Sequence, residues 1–438
     1  MSKNKITYIS TRGEGKSISF LEAMEAGLAG DGGLYLHDQW PDLSSLWNSI
    51  TGRSVKDVGS TIAQQFIPDI SAERIDYLLE EGITFDAPLV PLTEDLFVLE
   101  LFHGPTFAFK DFGARFMAQM MDYQAQKTGE RITILVATSG DTGSAVGRAF
   151  EHAQDIDVCL LYPSGKVSKL QEKQLTTIGG NVTALEVDGT FDDCQQLVKR
   201  AFSDSTLQQK LNLSSANSIN IARLLPQMFY YGRALAELPK GSQHPYFCVP
   251  SGNFGNITAG MMAHKTGMPA KQFLAATNRN DSVPQFLEKG TFRAQPSKQT
   301  LSSAMDVGNP SNLERIRSIY PEMAGLRDHM WAASFNDQQT RRAITQVYRK
   351  HDYILDPHTA VGYLAAQKYM NREQADGPVI ILGTAHPAKF ADIVSPLIGE
   401  ELRLPMQLKN CLTAKKHSIS LEASFSSFKD HLLSHYAE

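Results

Sequence analysis

The stretch LFHGPTFAFKDFGARFMAQMM sets Lys110 among Phe107, Phe109 and Phe112, with Asp111 beside it. A lysine amine is nucleophilic only when unprotonated, and partial desolvation among aromatic rings lowers its pKa. Such a lysine can form a Schiff base with an aldehyde. The same pattern also fits a lysine whose stem lies along an amphipathic helix while its charge reaches water. A second candidate is SGNFGN, residues 251–256, placed where a strand-like run gives way to a helix-like one. Helix N-termini bind phosphate because their first N–H groups lack intrahelical partners and the helix dipole favours negative charge. Gly252 and Gly255 allow close backbone approach there, and Asn253 and Asn256 add side-chain donors or a cap. An ordinary strand-to-helix turn has the same composition.

Two further loops carry polar groups suited to small anions. In ATSGDTGSA, residues 137–145, Thr138, Ser139 and Thr142 suit a carboxylate at a helix start, and they equally suit a plain capping cluster. Asp141 complicates the anion reading. A buried carboxylate near a bound anion is costly unless it is protonated or accepts from a cation or hydroxyl. In SANSINIARLLPQ, Asn217, Ser218 and Arg223 precede a long helix, and Arg223 suits bidentate phosphate binding. Alternatively these groups seat the helix. Neither His103 nor His358 is assigned a role from its surroundings in sequence. No His, Cys, Asp or Glu spacing matches a metal site, and neither GxSxG nor HExxH occurs. The glycine loops lack both GxGxxG and GxxxxGK[ST], which argues against a nicotinamide or a nucleoside triphosphate.

The elements that must position these loops alternate strand, glycine-bearing turn and helix. RITILVA, IDVCLLYP and NVTALEV read as strands, followed respectively by GSAVGRAFEHA, KLQEKQLTTIG and FDDCQQLVKRAFSD as helices. The pattern resumes at residues 245–265, at FLAATNRN and at GPVIILGTAHPAKFADIV. Such alternation predicts parallel sheets covered by helices on both faces. The first 95 residues differ, with helix-like SVKDVGSTIAQQF and ERIDYLLEEG but no repeated strand, and read as a separate domain.

A chain of 438 residues is too long for one ordinary core, so two or three domains are expected. Its net charge of −5 gives no footprint for wrapping nucleic acid or an anionic membrane, though a small basic pocket remains compatible. Cys159, Cys194, Cys248 and Cys411 are scattered and read as reduced thiols. No apolar run approaches a membrane span, and the beginning has no apolar leader core, so a cytoplasmic protein is expected.

Taken together these stretches resemble the fold-type-II pyridoxal-phosphate enzymes, and within them the threonine synthases. The resemblance runs in order from DGGLYL through HGPTFAFKDFG, TSGDTGSA, SANSINIARLLPQ, VPSGNFGN, SAMDVGNPSN and DPHTAVGY to GTAHPAKF, nearly the whole chain. It implies an α/β, tryptophan-synthase-β-like fold with two parallel-sheet domains and an additional N-terminal domain. The limits expected are 1–95 for the N-terminal domain, 96–130 with 228–400 for a large cofactor-binding domain, 131–227 for a smaller one, and 401–438 for a C-terminal extension. It implies pyridoxal 5'-phosphate bound through Lys110, its phosphate held by Gly252, Asn253, Phe254, Gly255 and Asn256, and its pyridine nitrogen facing Thr384. Asp141 falls where many relatives carry an asparagine near the cofactor's 3'-oxygen. Thr138, Ser139 and Thr142 would bind the substrate carboxylate, and Asn217, Ser218 and Arg223 its phosphate. The implied activity is a lyase reaction converting O-phospho-L-homoserine and water into L-threonine and phosphate, with no metal, no nucleic acid and no membrane partner, in a monomer. Alternatives are another fold-type-II lyase, such as a serine/threonine dehydratase or a phospho-lyase, and a catalytically silent cofactor-binding or ligand-sensing protein.

Overall fold

The computed structural model describes residues 6–13, 15–138, 140–373 and 375–437. The apolar runs form strands buried along their whole length, as strands sandwiched between helix layers must be. Ile132–Ala137 and Ile156–Pro163 have every residue buried. Helix starts follow local chemistry, with reciprocal capping boxes at Ser19, Ser54, Thr190 and Asn336.

Thirteen strands result among the described residues. In chain order they are β1 (Tyr8–Ser10), β2 (Tyr35–His37), β3 (Leu89–Pro91), β4 (Leu96–Glu100), β5 (Ile132–Ala137), β6 (Ile156–Pro163) and β7 (Val182–Asp188). There follow β8 (Leu213–Ser215), β9 (Tyr246–Pro250), β10 (Gln272–Thr277), β11 (Met330–Ser334), β12 (Val379–Gly383) and β13 (Ile419–Glu422). A six-stranded sheet runs β11-β10-β9-β12-β4-β3, parallel except for the antiparallel edge pair β3–β4. A five-stranded sheet runs β13-β7-β6-β5-β8 and is parallel throughout. The expected architecture of two parallel α/β sheets is therefore present.

Two details go beyond the sequence reading. The N-terminal region holds the helices Val55–Phe66 and Ala72–Gly82, and also a short antiparallel β1–β2 pair. The C-terminal stretch sends β13 to the edge of the five-stranded sheet, pairing Ile419 with Leu185. Its residues are mostly exposed, so it lacks the apolar alternation that reveals a strand in sequence.

One topological fact organises the site. Lys110 follows β4, Thr138 follows β5, Asn217 follows β8, residues 251–256 follow β9 and Thr384 follows β12. Each is thus at the carboxyl end of a parallel strand, where open α/β sheets bind their ligands. No helix among the described residues is long and apolar enough to cross a membrane.

Candidate active site

These segments line one cleft of about 2720 Å³ that includes Lys110, Thr138, Asp141, Thr142, Asn217, Ser218, Arg223, residues 251–256, His358, Thr384 and Lys389. Ser139, expected beside Thr138, lies outside the described residues.

Lys110 is the first residue of the helix Lys110–Thr128. The chain leading into it is sewn to the end of β12: Phe109 N–H donates to Thr384 O at 3.0 Å, and His386 N–H to Phe107 O at 3.1 Å. Phe107 has φ +59°, an uncommon left-handed conformation for a bulky residue, which these bonds over-determine. Behind it the helix packs tightly on the segment bearing Arg223. A β-carbon at Gly113 would lie 2.7 Å from Arg223 O, so only glycine permits that approach.

The Lys110 side chain is 15% exposed, with Nζ 3.6 Å from Asp141 Oδ2 and 6.0 Å from the centre of the Phe109 ring. Burial lowers its pKa, Asp141 works against that, and Lys389 and Arg223 reinforce it. Asp141 itself is resolved by a residue the sequence reading passed over. Lys389, fully buried in the turn Pro387–Phe390, places Nζ 2.7 Å from Asp141 Oδ1 and donates to Thr106 O at 2.9 Å. Gln171 Nε2 donates to the same carboxylate oxygen at 3.0 Å. Burial alone would raise the Asp141 carboxyl, but Lys389 and then Lys110 hold it well below the usual carboxylate range, so it is ionised. Next to Lys110, fully buried Asp111 accepts from Thr106 N–H at 2.9 Å and Thr106 Oγ at 2.7 Å. Burial nevertheless pushes its carboxyl up to about 6.

The loop after β9 uses backbone shape. Phe254 has φ +60° and opens the helix Gly255–Lys265. At Gly252 a β-carbon would lie 2.7 Å from Ala304 O and 2.8 Å from Met305 Cα, so a glycine is required. The side chain of Asn253 is committed to protein: Nδ2 donates to Ser218 Oγ at 2.6 Å, and Oδ1 accepts from Ser311 N–H at 2.6 Å. Asn256 differs. Its Oδ1 accepts from Tyr230 Oη and Tyr231 Oη, whereas its Nδ2 is buried with no hydrogen-bond partner among the described residues. A buried unpaired donor at a helix N-terminus calls for an anionic acceptor. The cofactor's phosphate fits that demand, and Lys110 with its lowered pKa fits its aldehyde.

Arg223 is buried, donates Nη1 to Ala216 O at 2.7 Å, and keeps Nε without a partner among the described residues. Burial brings its pKa down to about 10, opposed by Asp111. Asn217 and Ser218 lie in the loop after β8 and Arg223 in the short helix Ile221–Leu224 that follows it, with Ser218 bonded directly to Asn253. Arg315, fully buried, clamps this loop by donating to Ile219 O at 2.6 Å, Tyr35 O at 3.0 Å and Asn312 Oδ1 at 2.8 Å. Across the cleft, Thr138 Oγ accepts the N–H groups of Gly140 and Gly143 at 3.0 and 2.9 Å. That hydroxyl acts as a cap for the helix Asp141–Phe150, and Thr142 is the more exposed of the two. At Thr384 the reverse holds: His386 Nδ1, which accepts Ala388 N–H at 3.1 Å, caps the following turn.

His358 and His103 part company. Buried His358 bonds Asp356 Oδ2 at 2.6 Å through Nδ1, and its Nε2 accepts Ala304 N–H at 3.2 Å, bracing the turn that packs on Gly252. His103 bonds Glu100 at 2.7 Å and is 42% exposed, away from the cleft. Among the described residues no group of three or more His, Cys, Asp or Glu could hold a metal ion.

Three family descriptions match the chain: "Threonine synthase N terminus" over residues 7–82, "Pyridoxal-phosphate dependent enzyme" over 84–384, and, overlapping it, "Threonine synthase, C-terminal" over 359–432. Threonine synthase of Escherichia coli K12 is 40% identical over 96% of this chain and 97% of its own. The chain belongs to the threonine synthase family. The solved threonine synthase of Escherichia coli superposes with a TM-score of 0.91, at 39% identity, over 98% of this chain and 100% of that one. The pyridoxal-phosphate-bound threonine synthase of Brucella melitensis gives 0.90 at 38% identity, over 98% and 99%. Membership makes the protein a pyridoxal-phosphate-dependent lyase and a threonine synthase in function, as the order of its motifs implied. Lys389 and Arg315 were missed because each reads in sequence as an ordinary charge near a helix start. The only signal for Lys389 was its place inside GTAHPAKF, five residues after Thr384.

Proposed function

We propose that this cleft turns O-phospho-L-homoserine and water into L-threonine and phosphate by γ-elimination followed by replacement at the β carbon. The observation that supports it is Lys110, an amine of lowered pKa beside ionised Asp141, set in one cleft with the 252–256 loop and Arg223. Pyridoxal 5'-phosphate, when bound, supplies a conjugated ring that spreads negative charge developing on the substrate's carbons.

Lys110 would hold the cofactor covalently, and its amine is the group placed to take the proton from the substrate's α carbon. Because it stays tethered beside the chain, the same amine can serve the proton transfers at the β and α carbons. Gly252, Asn253, Phe254, Gly255 and Asn256 form the cofactor's phosphate cradle, with Asn256 Nδ2 as its side-chain donor. Asn253 contributes by shape, since its side chain joins Ser218 to Ser311. Thr384 offers the pyridine nitrogen a neutral hydroxyl, where a carboxylate would keep it protonated; this favours elimination over transamination. Asp141 stays charged near the cofactor's 3'-oxygen with Lys389 as its counter-ion. Thr142, with Thr138 and Ser139, receives the substrate carboxylate. Asn217, Ser218 and Arg223 receive its phosphate, with Arg223 Nε the donor that has no partner among the described residues. We also infer a cytoplasmic monomer, for which sedimentation should return a mass near 48.4 kDa.

The test is to supply the purified protein with phosphohomoserine and follow both products. Phosphate and threonine should appear in equal amounts. Phosphate with a 2-oxo acid as the only organic product would sink this reading in favour of a simple lyase.

A further inference from the structure

We propose that Lys389 is a positioning residue for this reaction: by pairing with Asp141 it presents Lys110 with a compensated ion pair in place of a lone carboxylate. The inference rests on the function proposed above and concerns how Lys110 is kept able to exchange protons. The carboxylate of Asp141 is divided between its neighbours. Oδ1 takes Lys389 at 2.7 Å and Gln171 at 3.0 Å, and Oδ2 faces Lys110 at 3.6 Å, beyond a good hydrogen bond. Without Lys389, only neutral Gln171 would remain on Oδ1, the carboxylate's charge would fall on Lys110 alone, and a close buried pair would hold its amine protonated and inert. Without Asp141, Lys389 would be a fully buried cation at the cofactor site, which is costly and would repel Lys110.

The placement of Lys389 is also tied to that of Lys110. Its turn begins at His386, whose N–H bonds Phe107 O, and its Nζ bonds Thr106 O, so both contacts fall on the segment that delivers Lys110. The charged groups acting on Lys110 are Asp141, Lys389 and Arg223. Those coupled to Lys389 also include Asp111 and His386. Asp141 pairs with Lys389 at 2.7 Å and with Lys110 at 3.6 Å, so replacement of Asp141 and of Lys389 should act on Lys110 with opposite signs.

The experiment measures the pH midpoint of Lys110 acylation in the cofactor-free full-length protein, by peptide mass spectrometry, and the acid limb of kcat/KM in the loaded enzyme. Lys389→Met should raise both midpoints by about one unit, and Asp141→Asn should lower them by about as much. The double variant Asp141→Asn/Lys389→Met should return close to the wild type. A Lys389 that merely fills space would leave the Lys110 midpoint unmoved in Lys389→Met and give no compensation in the double variant, which overturns the proposal. If Lys389→Met alone does not fold, Asp141→Asn against the double variant decides: a midpoint that returns supports the pairing, and one that stays lowered removes it. Wild-type protein that makes no threonine would remove the reaction itself. Static midpoints in an enzyme that turns over would remove only the role of Lys389.

Discussion

The loop after β9 and the corner around Asp141 both manage charge next to Lys110, but by different means. Residues 251–256 contain no charged side chain; they work through a helix N-terminus, a left-handed Phe254 and a glycine pressed against Ala304. The Asp141 corner gathers three charged side chains from separate parts of the chain in a nearly dry setting. A backbone cradle binds a fixed dianion without titrating, because amide N–H groups carry no exchangeable charge state. A side-chain cluster can set the protonation of a reacting amine, because its members change one another's pKa. Holding and reacting are thus assigned to different kinds of structure.

Substitutions should separate the two regions. The largest effect is expected for Lys110→Ala, which should lower threonine formation by about 10⁴-fold and abolish the visible absorbance of bound cofactor. Retained absorbance would show that another amine holds the cofactor. Next, Asp141→Ala strands Lys389 as a buried, unpaired cation and should cost about 3–5 kcal/mol in urea unfolding. A loss below about 1 kcal/mol would mean that the corner is wetter than its geometry indicates.

Asp111 gives a smaller, pH-dependent effect. Its folded pKa is raised from 3.8 to about 6, so its contribution to stability is full below pH 4 and is lost as pH rises through 6. The shift corresponds to about 2–3 kcal/mol. Asp111→Asn should remove this dependence, so the stability difference between wild type and variant should fall by that amount from pH 4 to 7; a flat difference would contradict it. The smallest change is expected in the backbone cradle. Gly252→Ala pushes on the turn at Ala304 and should weaken cofactor binding by about 1–3 kcal/mol, roughly ten- to hundredfold, with no shift in any pH midpoint. A shifted midpoint there would break the division between the two regions.

Much of this is legible in the chain itself. The run Ile156–Pro163 reads as a buried strand from composition alone, and the cradle reads as a strand-to-helix turn with two glycines, because both are short-range features. Thr138 was harder to read. Its hydroxyl, proposed to receive the substrate carboxylate, also caps its own helix, and sequence cannot decide between two uses of one oxygen. The strand β13 was missed because it is mostly exposed and so has no apolar alternation, and its pairing is with β7, far away in the chain.

By itself the sequence determined which loops follow which strands and that Lys110 sits among aromatic rings, since propensity and periodicity act over a few residues. Only the tertiary structure decided that Asp141 is ionised, that Lys389 is its counter-ion, and that Arg315 clamps the Ser218 loop. A pairing of buried charges depends on distances set by the packing of several elements, and no local pattern in the chain carries those distances.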